Sequence, residues 1–158
     1  SLSDFEGKYV VLEWINFGCP FVKKHYGAGN MQALQEKYTG MDVVWLTICS
    51  SAPGKQGHRE PAEITEQMND WNAHNTAYLI DESGEVGKMY GAKTTPHMYV
   101  INPEGKLIYA GAIDSIPSAD QDDIEEATNY VEQAMNAAMN GEAVPNKVTK
   151  PYGCSVKY

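Results

Sequence analysis

The sequence predicts an α/β fold with a central mixed β-sheet flanked by helices, and three observations predict it. Residues 9–17 and 43–49 are apolar runs rich in β-branched and aromatic side chains, the pattern of buried strands. A helical stretch separates them, so strand, helix and strand follow within about forty residues, a βαβ unit with parallel strands. Further on, residues 94–101 and 107–111 flank the turn Asn102-Pro103-Glu104-Gly105-Lys106, which makes an antiparallel hairpin.

Each element has its own justification. Pro20 suits a first helical turn, and the helix it opens runs to residue 38. Gly27-Ala28-Gly29-Asn30 interrupts it, after which Met31, Leu34 and Tyr38 recur at helical spacing. Residues 50–59 form a loop by composition and leave the same sheet edge as the first strand, so they are expected to overhang that edge. Pro61 opens the next helix, with Ile64, Met68 and Trp71 on its apolar face. A short strand at 77–80, a turn at Asp81-Glu82-Ser83-Gly84 and a short helix at 86–90 stopped by Gly91 follow. Pro96 is tolerated at the first residue of a strand.

Ser118-Ala119-Asp120-Gln121 matches a capping box, and Ile124, Ala127, Val131, Met135 and Ala138 give the core face of a long helix ended by Gly141 and Pro145. Asp120, Asp122, Asp123, Glu125 and Glu126 then fall in its first turns, where the helix dipole favours negative charge. This cluster reads as a cap and a solvated face, not a metal site. Residues 142–158 form an extended tail without strong periodicity, apolar enough to dock, and carrying a cysteine.

The 158 residues fit one domain with room for a full core, and no second domain, internal repeat or low-complexity segment is visible. No apolar run approaches the ~18 residues of a membrane span. The formal charge of −9, from 21 acids against 12 bases, argues against nucleic acid as a partner. The chain opens polar and turn-like at Ser1-Leu2-Ser3-Asp4 and reads as one trimmed from a longer protein, so a missing signal peptide says nothing about compartment.

The three cysteines, Cys19, Cys49 and Cys154, form no CxxC pair and no zinc spacing. Cys19 stands in Gly18-Cys19-Pro20-Phe21-Val22-Lys23, where a strand ends and a helix begins. There the helix's unpaired N–H groups and the positive end of its dipole favour a thiolate, and Lys23 one turn on adds positive potential. Plain packing of a small buried residue is the competing reading. Ligand sites lie beyond the carboxyl ends of parallel strands; Cys19 follows one such end and Cys49 occupies another. Neighbouring strands lie about 5 Å apart, so a Cys19–Cys49 contact is geometrically reasonable, with core packing as the alternative for Cys49.

The order βα, βα, β, short α, β-hairpin, α, with Cys-Pro at the first helix and Thr-Pro before the hairpin, resembles the thioredoxin fold over nearly the whole chain. Within that superfamily the chain is similar to the peroxiredoxin-like redoxins related to the alkyl-hydroperoxide-reductase and thiol-antioxidant proteins. Gly18-Cys19-Pro20-Phe21-Val22-Lys23, Lys93-Thr94-Thr95-Pro96-His97 and Gly153-Cys154-Ser155-Val156-Lys157 carry the match. Such proteins usually have a β-hairpin before the first strand here, which fits a chain trimmed at its N-terminal side. The resemblance implies that Cys19 is the nucleophile, that Pro96 is the fold's cis-proline, and that Thr95 faces the cysteine and offers backbone groups to a substrate, beside Pro20. Glu13, six residues before Cys19, stands at the spacing of the buried proton-shuttling carboxylate of thioredoxin; burial would raise its pKa, and an ion pair with a lysine is the alternative.

Two departures limit what the resemblance implies. Val22 replaces the second cysteine of Cys-x-x-Cys, and Leu12 and Asn16 stand where a peroxiredoxin would have its active-site proline and threonine. The function expected is a thiol-dependent oxidoreductase without cofactor. Cys19 attacks a protein disulfide or a small peroxide, and Cys49 or Cys154 resolves the product. A non-catalytic copper-handling protein using Cys19, His25, His97, Met89 and Met98 is the alternative from another class, since soft ligands suit Cu(I). A structural domain with inert cysteines is the third. The expected compartment is extracytoplasmic, the bacterial periplasm, where disulfides persist.

Overall fold

The central strand of the computed structural model, which describes residues 1–158, is β1 (Val10–Trp14), buried at every position. Two helices follow where one interrupted helix was expected. Helix α1 (Pro20–Gly27) ends before Gly29, whose φ of +80° caps α2 (Asn30–Thr39) in a left-handed conformation that favours glycine. Strand β2 (Val44–Cys49) then runs parallel to β1, with Val10 opposite Val44 and Trp14 opposite Ile48. Helix α3 (Pro61–Asp70) leads to β3 (Ala77–Ile80), parallel to β2, and α4 (Glu85–Tyr90) follows.

The short β4 (Thr94–Thr95) precedes Pro96, and β5 (His97–Ile101) and β6 (Leu107–Gly111) form the hairpin. Strand β5 pairs antiparallel with β1, which gives a mixed sheet in the order β3-β2-β1-β5-β6. A separate two-stranded ribbon joins β4 to β7 (Cys154–Ser155) near the end of the chain.

Alternation along β1 assigns its side chains to two cores. Val11 and Ile15 pack with Trp45, Met98 and Val100 beneath α1, α2, α3 and the last helix; Val10, Leu12 and Trp14 pack with Leu46, Ile48 and Tyr99 on the other face. Helices of six to ten residues are marginal alone, since isolated helices need roughly 12 or more. Burial against the sheet, about 1.5–3 kcal/mol per large apolar side chain, therefore holds them.

The long helix expected after residue 118 also differs. Only α5 (Tyr130–Met139) is α-helical there, preceded by a single 3-10 turn at Gln121–Asp123. The cap residues explain the division. The Asp120 carboxylate accepts the Asp122 N–H and closes the 3-10 turn, while the Asn129 side chain accepts the Glu132 N–H and starts α5 afresh. Asp114 and Asn129 also form a β-bridge, which pulls residue 129 out of any helix continuing from 120. The acids at 120–126 thus lie outside α5, and Val131 and Met135 carry its core face.

Candidate active site

The turn that delivers Cys19 is built by Asn16, a buried side chain at the end of the first strand. Its Oδ1 accepts the Gly18 N–H at 2.8 Å and its carbonyl accepts the Cys19 N–H at 3.0 Å. Its Nδ2 donates to the Gln56 carbonyl and side chain at 3.2 Å, which fastens the 50–59 loop beside the turn. Cys19 is the N-cap of α1, with Pro20, exposed, at the first helical position.

Cys19 is fully buried, and its cover is the C-terminal tail. Strand β7 pairs antiparallel with β4, Cys154 opposite Thr95, and this register sets the two sulfurs 2.7 Å apart as free thiols. The Thr95–Pro96 bond is cis, and the Thr95 carbonyl accepts the Cys19 thiol at 3.2 Å. Gly153 makes the close approach possible: its φ is +138°, and a Cβ there would strike the Thr95 carbonyl.

The two thiols are pushed in opposite directions. Burial opposes the Cys19 thiolate. Hydrogen bonds from the Cys154 thiol, the Thr95 side chain and the Val22 and Cys154 N–H groups outweigh it, so the Cys19 pKa is lowered. The Thr95 hydroxyl is buried with no hydrogen-bond partner of its own, so it is free to turn toward a thiolate at Cys19. Cys154 is pushed up to about 11 by burial and by the hydrogen bond and charge of Cys19 beside it. Of the two, Cys19 therefore gives up its proton more readily, and Cys154 holds its own longer.

Other expected residues lie elsewhere. Cys49 is buried at the end of β2, but its sulfur faces Ser51 Oγ at 3.4 Å and the Gly57 carbonyl at 3.5 Å, because the 50–59 loop folds back over it. The structure brings Cys154, not Cys49, to Cys19. Glu13 makes no ion pair and touches neither cysteine. Its Oε1 accepts from Trp45 (2.8 Å), Gln35 and Thr47 (both 3.1 Å), and its Oε2 from Tyr26 (2.6 Å). Burial raises its pKa and those four donors oppose the rise. Lys23 is exposed; its backbone N–H donates to the Cys19 carbonyl at 3.0 Å, while the hydrogen bonds of the Cys19 sulfur go to Thr95 and Cys154 and not to the Lys23 ammonium.

The copper donors are not gathered. His97 packs against Tyr99 on the face opposite Cys19, Met89 is 73% exposed on α4, and no group of three His, Cys, Asp or Glu side chains is arranged for a metal.

The sequence reading missed a buried polar cluster beside the thiols. Lys24 and His25 on α1, Asp114 after β6, and Tyr152 two residues before Cys154 meet there. The Tyr152 hydroxyl donates to Asp114 Oδ1 at 2.5 Å and lies 3.3 Å from Lys24 Nζ and 3.2 Å from His25 Nε2. The signal available was Lys24-His25 inside an otherwise core-facing helix turn, between Val22 and Tyr26.

A mixed sheet with a cysteine capping the first helix opposite a cis-proline is the architecture of the thioredoxin-like class. Solved structures agree. An uncharacterized conserved protein from Geobacillus kaustophilus is 27% identical, with a TM-score of 0.80 over 99% of this chain and 81% of its own. A hypothetical protein from Sinorhizobium meliloti gives 23% and 0.84 over 99% and 84%. The exposed lipoprotein thioredoxin of Streptococcus pneumoniae gives 25% and 0.52 over 79% and 86%. No curated protein matches. Residues 1–110 match the AhpC/TSA family, and the chain belongs to it.

Proposed function

We propose that this protein is a thiol-disulfide oxidoreductase working through a Cys19–Cys154 redox pair. One observation carries the reading: two sulfurs 2.7 Å apart, one thiol with its pKa lowered and the other raised to about 11. The Cys19 thiolate attacks one sulfur of a protein disulfide and expels the other as a thiolate, which takes up a proton. Cys154 then loses its proton, attacks Cys19 Sγ in the mixed disulfide, and expels the second substrate sulfur. The substrate departs as two thiols with two added electrons. The protein is left as the Cys19–Cys154 disulfide, which an external dithiol reduces.

Because Cys19 is buried beneath the tail, a substrate reaches it when β7 lifts from β4, and the return of β7 delivers Cys154. A small peroxide as oxidant is the second reading, favoured by the otherwise unpartnered Thr95 hydroxyl beside the thiolate. Cys19 would then become a sulfenic acid, and Cys154 would displace water from it to give the same disulfide. The compartment we propose is extracytoplasmic, where disulfides persist, in keeping with the exposed lipoprotein among the similar structures. No helix is long and apolar enough to cross a membrane.

A non-reducing peptide map tests the reading, taken before and after equimolar hydrogen peroxide or a disulfide-containing peptide. The expected product is a Cys19–Cys154 crosslink, reversed by dithiothreitol, absent from Cys19→Ser and Cys154→Ser, and retained in Cys49→Ser. A crosslink to Cys49, or no crosslink at all, overturns it. Which oxidant forms it faster separates the disulfide from the peroxide.

A further inference from the structure

We infer that Tyr152 is the positioning residue of the redox pair: it plugs into a socket made by Lys24, His25 and Asp114 and thereby fixes where Cys154 can go. The inference rests on the Cys19–Cys154 reading above and extends it to a residue that touches neither sulfur.

The geometry leads there in three steps. First, the socket belongs to the same helix as the nucleophile. Cys19 caps α1, and Lys24 and His25 lie on that helix, 2% and 0% exposed, turned toward the tail rather than solvent. Burying a lysine is costly unless it is paired or hydrogen-bonded. Its partners are the Tyr152 hydroxyl and the Ile116 carbonyl, both at 3.3 Å, and its ammonium also sits 5.3 Å from the centre of the Tyr152 ring.

Second, the phenol satisfies several groups at once. It gives its one proton to Asp114 at 2.5 Å, and its oxygen faces Lys24 Nζ and His25 Nε2. Asn30 Nδ2 donates to His25 Nδ1 at 2.9 Å, which leaves the ring proton on Nε2, pointing at the Tyr152 oxygen. Asp114 Oδ2 lies 3.9 Å from the same nitrogen. Removing the phenol oxygen would leave the buried Lys24 ammonium with the Ile116 carbonyl and the buried Asp114 carboxylate with the Ile116 N–H, each short of its phenol partner.

Third, the anchor is tied to the thiol by one residue. Gly153 follows Tyr152 and packs against the Thr95 carbonyl, and Cys154 then pairs with Thr95. The Phe21 ring meets Tyr152 edge-on at 5.8 Å, while the Phe21 and Val22 N–H groups face the Cys154 and Cys19 sulfurs. Anchor, close approach and thiol thus occupy three consecutive residues, docked on the first two turns of the helix that holds the nucleophile. Elsewhere the tail is held by backbone pairing in the Thr149–Ala110 region and at Val156 and Lys157, and by the Thr149 and Tyr158 hydroxyls; Tyr152 is the side-chain anchor next to Gly153 and Cys154, and so the one that sets the approach of Cys154.

The test uses Tyr152→Phe, which keeps the ring and removes the hydroxyl. The protein is equilibrated in glutathione buffers, where the dithiol passes two electrons to glutathione disulfide and two glutathione thiols leave. The expected result is a Cys19–Cys154 disulfide at least tenfold less favoured than in the wild type, a shift of about 30 mV. Cys49, buried beneath the 50–59 loop and away from Tyr152, stays as slow to alkylate in Tyr152→Phe as in the wild type, a result that a general loss of structure would not give. Should Tyr152→Phe fail to fold, Asp114→Asn carries the same expectation through its weakened bond to the phenol. An unchanged glutathione equilibrium in a folded variant overturns the inference alone. A wild-type protein that forms no Cys19–Cys154 disulfide overturns the two-cysteine reading and the inference with it.

Discussion

Glu13 illustrates how a residue's environment decides its use. The sequence marks it plainly, as a lone acid among Val11, Leu12, Trp14 and Ile15. Which donors meet it is a tertiary matter, since Tyr26 and Gln35 come from α1 and α2 and Trp45 and Thr47 from β2. The carboxylate pins two helices to two strands, and burial raises its pKa. The sign of the pH effect follows. Below the ordinary carboxyl pKa of ~4.3 both folded and unfolded chains hold the proton. As pH rises past that value the unfolded chain releases it more readily, and stability falls until the folded pKa is passed, by at most about 1.4 kcal/mol per pH unit. Glu13→Gln has no proton to lose, so its urea midpoint should gain on the wild type between pH 4.5 and 8. Parallel midpoint curves for the two proteins would show that Glu13 titrates normally.

At the scale of elements, the strands and the first helices were legible because their cues are local. Apolar runs, Pro20, Pro61, the glycines at 27 and 29, and the 102–106 turn each act within a few residues. The helix at 118–140 was misjudged because apolar spacing extends across Thr128-Asn129, while Asn129 restarts the helix and a bridge to Asp114 holds it. The ribbon of β4 and β7 was illegible for a different reason. Each strand has two residues, too few for any alternation, and their pairing joins positions about sixty apart in sequence. The sequence therefore left Cys49 and Cys154 as equal partners for Cys19, and only the tail's path separates them. That path has a specific weak point. Gly153→Ala would drive a methyl group into the Thr95 carbonyl at a φ of +138°, so β7 should leave β4. Iodoacetamide should then modify Cys19 at least tenfold faster than in the wild type, since its cover is gone. An unchanged alkylation rate would mean that the tail does not guard the thiol.

The whole molecule places a neutral imidazole in each of its two cores. His25 lies with the α1 side of the sheet and His97 on the opposite face, against Tyr99 with its Nδ1 accepting the Lys93 N–H at 3.1 Å. Burial lowers both pKa values to about 4. Asp114 opposes the shift at His25 while Lys24 adds to it, and Lys93 adds to it at His97. Between pH 6.5 and 4 the unfolded chain therefore binds up to two protons that the folded protein refuses. Stability is fully present above the unfolded histidine pKa and is lost as pH falls toward 4, with a limiting slope of about 2.7 kcal/mol per pH unit for the pair. Glu13 tilts the other way over its own range, so the two histidines dominate the acid side. Urea unfolding at pH 7, 6, 5 and 4.5 reads this directly. The midpoint should drop steeply below pH 6, and His97→Gln, which keeps a side-chain acceptor for the Lys93 N–H, should lose about half of the slope. A midpoint flat from pH 7 to 4.5 would mean that water reaches both imidazoles in the folded state.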